Sequence, residues 1–192
     1  MDLITMLIDE FISRHVLAEQ FPMLAQHGIP DADLTIHSHF LSYLAALAHP
    51  LGYSGVVECP LPVESDHRWA KLGEVRPDVV WFDRADNAPV AAFEFERFER
   101  GDEAKLRSKI ENLDIAFLRS NGRLQLTALI YWVRSGIAPQ AVHEATVGYR
   151  TGFVRRGIHV PPAQCPLYVF KCTWRKVENG LVVSDILHVE VF

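Results

Sequence analysis

The stretch 74–97, EVRPDVVWFDRADNAPVAAFEFER, carries the organisation of the chain. Arg76-Pro77-Asp78 opens a run of β-forming residues that continues to about position 83. The segment DRADNAP at 83–89 is rich in Asp, Asn and Pro and reads as a turn, and a second apolar run at about 89–97 follows it. Two such runs across a turn predict a hairpin. Alternate side chains of a strand share a face. Ala92, Glu94, Glu96 and Phe98 therefore fall on one side, and Ala91, Phe93, Phe95 and Arg97 on the other. If the two strands pair, Asp78 comes beside Glu94 or Glu96. Carboxylates that close repel, and one of them takes a raised pKa unless a cation neutralises the pair. Hard oxygen ligands suit Mg²⁺ or Mn²⁺. A solvated strand face shows the same alternation, so the elements on either side of the hairpin carry weight.

Working outward, residues 2–26 place Ile4, Leu7, Ile8, Phe11, Ile12 and Val16 at helical spacing, ended by Gly28–Pro30. Asp33 is placed to cap a second helix that closes at Pro50 to Gly52. A short strand is expected at 55–59; its Glu58 reads first as an ordinary exposed glutamate and second as a member of the acidic cluster. After the acidic hairpin, GDEAKLRSKIENLDIAFLRS at 101–120 puts Leu106, Ile110, Leu113 and Phe117 on one helical stripe, with Asn121–Gly122 as its C-cap. LQLTALIYWV at 124–133 is a nearly continuous β-rich apolar run, the pattern of a buried central strand. A further helix near 138–152 and a C-terminal hairpin turning at Asn179–Gly180 complete the order. The four tryptophans, Trp69, Trp81, Trp132 and Trp174, read as core or sheet-face residues rather than as a stacking platform for bases.

At 192 residues, with 49% hydrophobic and 22% charged content, the chain suits one ordinary globular α/β domain with a mixed sheet. Its parts are an N-terminal helical extension (1–30), a core (33–133) and a C-terminal helix and hairpin (134–192). A net charge of -5 excludes a broadly basic nucleic-acid binder but not a local basic groove. Cys59, Cys165 and Cys172 have neither zinc nor disulfide-framework spacing, and acidic residues enter at Asp2, Asp9 and Glu10 before any long apolar run. Both features predict a cytoplasmic protein with neither signal peptide nor membrane span. No P-loop, nucleophile elbow or GxGxxG occurs.

With these residues in place, the sequence resembles the PD-(D/E)xK nuclease superfamily. Pro77-Asp78 matches the first half of its signature, and Glu94-Phe95-Glu96 matches the second in two of three features. The element order over about 33–133 matches its αβββαβ core. The resemblance implies a three-layer, restriction-endonuclease-like fold and an Mg²⁺- or Mn²⁺-dependent endonuclease acting on nucleic acid, DNA before RNA. It makes Asp78 and Glu94 the metal ligands, with the Phe95 backbone carbonyl as a third. The family lysine falls at position 96, where this chain has Glu96. Either Glu96 takes the metal or base role, or a lysine arrives from the following helix. Lys105 and Lys109 are the candidates there, Lys109 preferred because mid-helix residues pack across the sheet and a long stem can reach along it. Where the family often has an acidic residue on its first core helix, this chain has His37 and His39. Lys105, Arg155 and Arg156 are the expected phosphate contacts, though Lys105 also reads as an ordinary surface lysine, and Arg155 and Arg156, with Arg150, as a solvated helix end. A nuclease-like module without cleavage is the alternative, and the edge strands of the C-terminal hairpin offer a route to a homodimer.

Overall fold

The computed structural model describes residues 2–30, 33–61, 69–99, 101–133 and 139–192. Asp33 begins a helix there, but its side chain, and with it the predicted cap, lies outside the described residues, as does position 138 at the start of the expected fifth helix. The helices are α1 (Leu3–Ser13), α2 (His15–Gln20), α3 (Asp33–Leu47), α4 (Glu103–Arg119) and α5 (Pro139–Thr151). The strands are β1 (Tyr53–Val57), β2 (Val79–Asp83), β3 (Pro89–Arg97), β4 (Leu126–Val133), β5 (Phe153–Arg155), β6 (Ile158–Val160), β7 (Leu167–Val177) and β8 (Gly180–Val191). A π-helical turn, Met23–His27, follows α2.

The architecture is α/β. A mixed sheet runs in the order β1-β2-β3-β4-β7-β8. β3, β4 and β7 are parallel, and β1, β2 and β8 run antiparallel to their neighbours. One face carries α1, α2 and α3 over Trp81, Phe93, Phe95, Ile130, Trp132 and Phe170. The other carries α4 and α5 over Val80, Ala92, Leu129, Tyr131 and Val169. The alternation in β3 is therefore real: Phe93 and Phe95 enter the first layer and Ala92 the second. Trp81 and Trp132 are fully buried and Trp174 nearly so, as core residues. β4 is buried along its whole length, as its unbroken apolar run requires.

The β2–β3 hairpin closes through side chains of its own turn. Asp83 Oδ1 accepts from the Ala85 N–H at 2.7 Å, and Asp86 Oδ1 accepts from the Ala88 N–H at 2.8 Å. α3 lies directly on β1 because Gly55 has no side chain; a Cβ there would collide with the Ala45 backbone. α4 ends as its sequence implies, with Asn121 and Gly122 both left-handed and the Gly122 N–H bonded to the Phe117 carbonyl at 3.0 Å.

Several expectations need correction. Residues 2–26 are not one helix. Arg14 is left-handed at φ 54°, and the chain restarts as α2. The cause is tertiary. Glu10 turns its carboxylate onto the new helix end, accepting from the Val16 N–H at 2.9 Å and, more loosely, from the Leu17 N–H at 3.4 Å and the Tyr43 hydroxyl at 3.4 Å. The first strand spans Tyr53–Val57, so Glu58, left-handed at φ 47°, and Cys59 lie beyond it. Arg155 and Arg156 are not at a helix end. α5 stops at Thr151, and a small β5–β6 hairpin turns at Arg156–Gly157.

Candidate functional site

The site is built where β2 begins. Registered pairs Val79↔Phe93 and Val80↔Ala92 set the phase, and one further step along the ladder brings Asp78 opposite Glu94. Asp78 is fixed by the neighbouring strand's backbone, its Oδ2 accepting from the Phe95 N–H at 2.7 Å. Glu94 points to the α4 layer and is 0% exposed. Lys109, on the flank of the Leu106–Ile110–Leu113 stripe, lays its stem along the buried face and inserts its ammonium between the two acids. Nζ donates to Asp78 Oδ1 at 3.0 Å, to Asp78 Oδ2 at 2.9 Å and to Glu94 Oε2 at 2.7 Å.

Three further side chains complete the arrangement. From the opposite layer, His37 sets Nε2 3.7 Å from Asp78 Oδ2, with its ring against Phe95. From α4, one turn beyond Lys109, the Asn112 Nδ2 reaches Glu94 Oε1 at 3.3 Å, and Arg155 donates to Asn112 Oδ1 at 2.8 Å.

The electrostatics follow from burial and proximity. Burial would raise the Asp78 carboxyl, but His37, Lys109 and the Phe95 N–H outweigh it and hold the group down at about 2. Burial and the charge of Asp78 push Glu94 well above the usual carboxylate range, although Lys109 pulls the other way. Burial also works against the Lys109 ammonium, yet Glu94 and Asp78 prevail and raise its pKa. Lys109 is therefore a fixed cation, and the proton-accepting capacity of the site rests with its acids. Glu96, half-buried, is also raised, chiefly by burial, while Lys109 and Lys105 oppose the rise.

The other expected residues fall into place as follows. Phe95 is buried, with its side chain in the α3 layer. Lys105 is exposed and pairs with Asp102 at 3.1 Å. Arg156 is exposed in the β5–β6 turn, with its guanidinium over Gly73. Arg155 is half-buried and turned inward to Asn112. His37 reaches Asp78, and His39, two positions on, falls on a different face of α3. Glu58 is exposed, joined to the site by its backbone alone, its N–H donating to the Asp78 carbonyl at 2.8 Å. Reading along the chain missed Asn112. The available signal was a polar residue three positions after Lys109, on the same flank of the stripe.

Could the acids hold a small divalent ion? Three carboxylate oxygens already surround one cationic centre at 2.7–3.0 Å, and the two bound to Nζ from different residues cannot lie further apart than those two bonds allow. The donor set is all oxygen, as Mg²⁺ and Mn²⁺ prefer. The oxygen chemistry suits such an ion, although the point between the two acids is itself filled by the Lys109 ammonium. Among the described residues no group of three His, Cys, Asp and Glu side chains gathers as a metal site, so the pair would need backbone or solvent oxygens to complete a shell. Among the same residues, no helix is long and apolar enough to cross a membrane.

Comparison with models of known protein families, with curated proteins and with solved structures finds no match.

Proposed function

We propose that this chain is a divalent-ion-dependent nuclease with a restriction-endonuclease-like core, hydrolysing phosphodiester bonds of nucleic acid, DNA in the first instance. The observation that carries the reading is the Lys109 ammonium held between Asp78 and Glu94 at 2.7–3.0 Å. The two carboxylates and this amine are the chemistry expected of the family signature, with the lysine supplied from the helix after the second strand instead of from position 96. The antiparallel β1-β2-β3 meander between α3 and α4, followed by parallel β4, supports that reading, because the resemblance implies an αβββαβ order.

Asp78 and Glu94 would hold Mg²⁺ or Mn²⁺, with the Phe95 carbonyl and Glu96 beside them. A bound ion of this kind supplies charge to the phosphate oxygens and acidity to water. The protein's own residues do the rest. Hydrolysis forms a bond from water oxygen to phosphorus, breaks the bond to a sugar oxygen, and moves one proton from the water to a base and one to the leaving oxygen. Lys109 stays protonated and so cannot be the base; it orients the phosphate and offsets charge gained in the transition state. Glu96, half-buried with a raised carboxyl, is the acceptor for the water proton. Lys105, Arg155 and Arg156 would be the phosphate contacts.

A second reading is a nuclease-like module that binds nucleic acid without cutting. Glu96 at the position of the family lysine favours it. Incubating the protein with plasmid and with single-stranded DNA, in Mg²⁺, Mn²⁺ or chelator, separates the two. Metal-dependent cutting that is lost in folded Asp78→Ala and Glu94→Ala supports the nuclease. Binding without cutting under every ion supports the module, and neither binding nor cutting defeats both.

A further inference from the structure

We infer that Asn112 and Arg155 are positioning residues for Glu94, a role that rests on the nuclease reading for its functional meaning but not for its geometry. A glutamate carboxyl that is 0% exposed has few ways to be oriented. One oxygen, Oε2, is taken by Lys109 at 2.7 Å. The other, Oε1, meets the Asn112 Nδ2 at 3.3 Å, so the plane of the carboxyl is set by two donors projecting from successive turns of α4.

The asparagine could serve in either of two amide orientations, and Arg155 decides between them. A guanidinium only donates, and a carboxylate only accepts. With Arg155 Nη1 2.8 Å from Asn112 Oδ1, the Asn112 NH₂ must face Glu94. Flipping the amide would set donor against donor at one end and acceptor against acceptor at the other. Arg155 lies 43 residues further along the chain than Asn112, on β5, so the small β5–β6 hairpin is tied through this bridge to the acidic pair. A partner of this kind, one step removed from the ion, ordinarily tunes affinity by about ten- to a hundredfold.

The test uses the full chain and Mn²⁺ alone, followed by calorimetry, with a thermal melt recorded for every variant. Asn112→Ala and Arg155→Met should each weaken Mn²⁺ binding by about tenfold or more. The double variant should be no weaker than Asn112→Ala, because both changes break one bridge. Arg155→Lys, which restores a donor to Oδ1, should return affinity towards that of the wild type. A residue that merely staples the hairpin to α4 would lower the melting temperature and leave affinity unchanged. Wild-type-like affinity in Asn112→Ala, or losses that multiply in the double variant, overturns the proposal.

A second readout needs no ion. The two Asn112 side-chain amide protons should give distinct resonances in an ¹⁵N-resolved spectrum, and both Arg155→Met and Glu94→Gln should move them. If the wild type binds no Mn²⁺ but these shifts occur, the nuclease reading fails and the bridge stands. If the resonances move in neither variant, the bridge is refuted whatever the ion does.

Discussion

Replacing Lys109 with methionine keeps the volume of the stem and removes the ammonium that faces both acids. In the native arrangement its side chain is 20% exposed, that of Asp78 8% and that of Glu94 0%, so water can replace little of the lost charge. Each contact near 3 Å is worth about 5 kcal/mol at an effective dielectric of 20. Much of that offsets the cost of taking three charges out of water, and breaking one side of such a buried pair usually costs about 3–5 kcal/mol. For a chain of this size the corresponding drop in melting temperature is on the order of 10 °C. The loss should depend on pH. Without the cation the Glu94 carboxyl rises further, and a group whose folded pKa is raised loses stability as pH increases toward that value. The penalty should therefore be smaller near pH 5, where Glu94 can take a proton, and larger near pH 8. Urea unfolding monitored by fluorescence of the buried Trp81 and Trp132 measures it. Glu94→Gln combined with Lys109→Met should recover more than half of the loss, because it removes the repulsion that the lysine balanced. A Lys109→Met variant within about 1 kcal/mol of wild type at pH 8, or a double variant no more stable than the single one, would refute this account of the site.

Two further consequences concern groups outside the site. Asp114, on α4, is 0% exposed, and the Ala163 N–H stands near its carboxylate but outside hydrogen-bond geometry; burial, abetted by Glu111, raises its pKa to about 8. Stability should thus fall as pH rises from the ordinary carboxylate range towards 8, by up to about 1.4 kcal/mol per pH unit. In Asp114→Asn the urea midpoint should lose most of that slope and exceed the wild type's at pH 8.5; an unchanged slope would count against a buried acid there. At the other end of the chain, Glu10→Ala removes the cap of α2 and the partner of the buried Tyr43 hydroxyl, which should cost about 2–4 kcal/mol. Glu10→Gln keeps an acceptor oxygen and should cost less than half as much, and equal losses in denaturant titrations would show that the cap is not the cause.

Much of the candidate site could be read without coordinates, because its main parts lie on regular elements whose periodicity assigns each residue a direction. Period-2 alternation put Glu94 opposite Phe93 and Phe95 in facing, and the Asp- and Asn-rich turn at 83–89 brought Asp78 to it. A helical stripe through Leu106, Ile110 and Leu113 left Lys109 on its border with a stem long enough to cross the sheet. What could not be read were contacts whose partners are far apart in the chain. The break at Arg14 depends on Glu10 and on Tyr43, 33 residues apart. His37 reaches Asp78 across the sheet end, and Arg155 reaches Asn112 from a hairpin too short to show any period of its own. Local pattern by itself determined which side chains face which layer, since that follows from backbone geometry within one element. Which of the facing groups meet, and so which oxygen of Glu94 is bound and by what, was decided only when the layers closed, because hydrogen bonds between elements depend on distances that no spacing along the chain encodes.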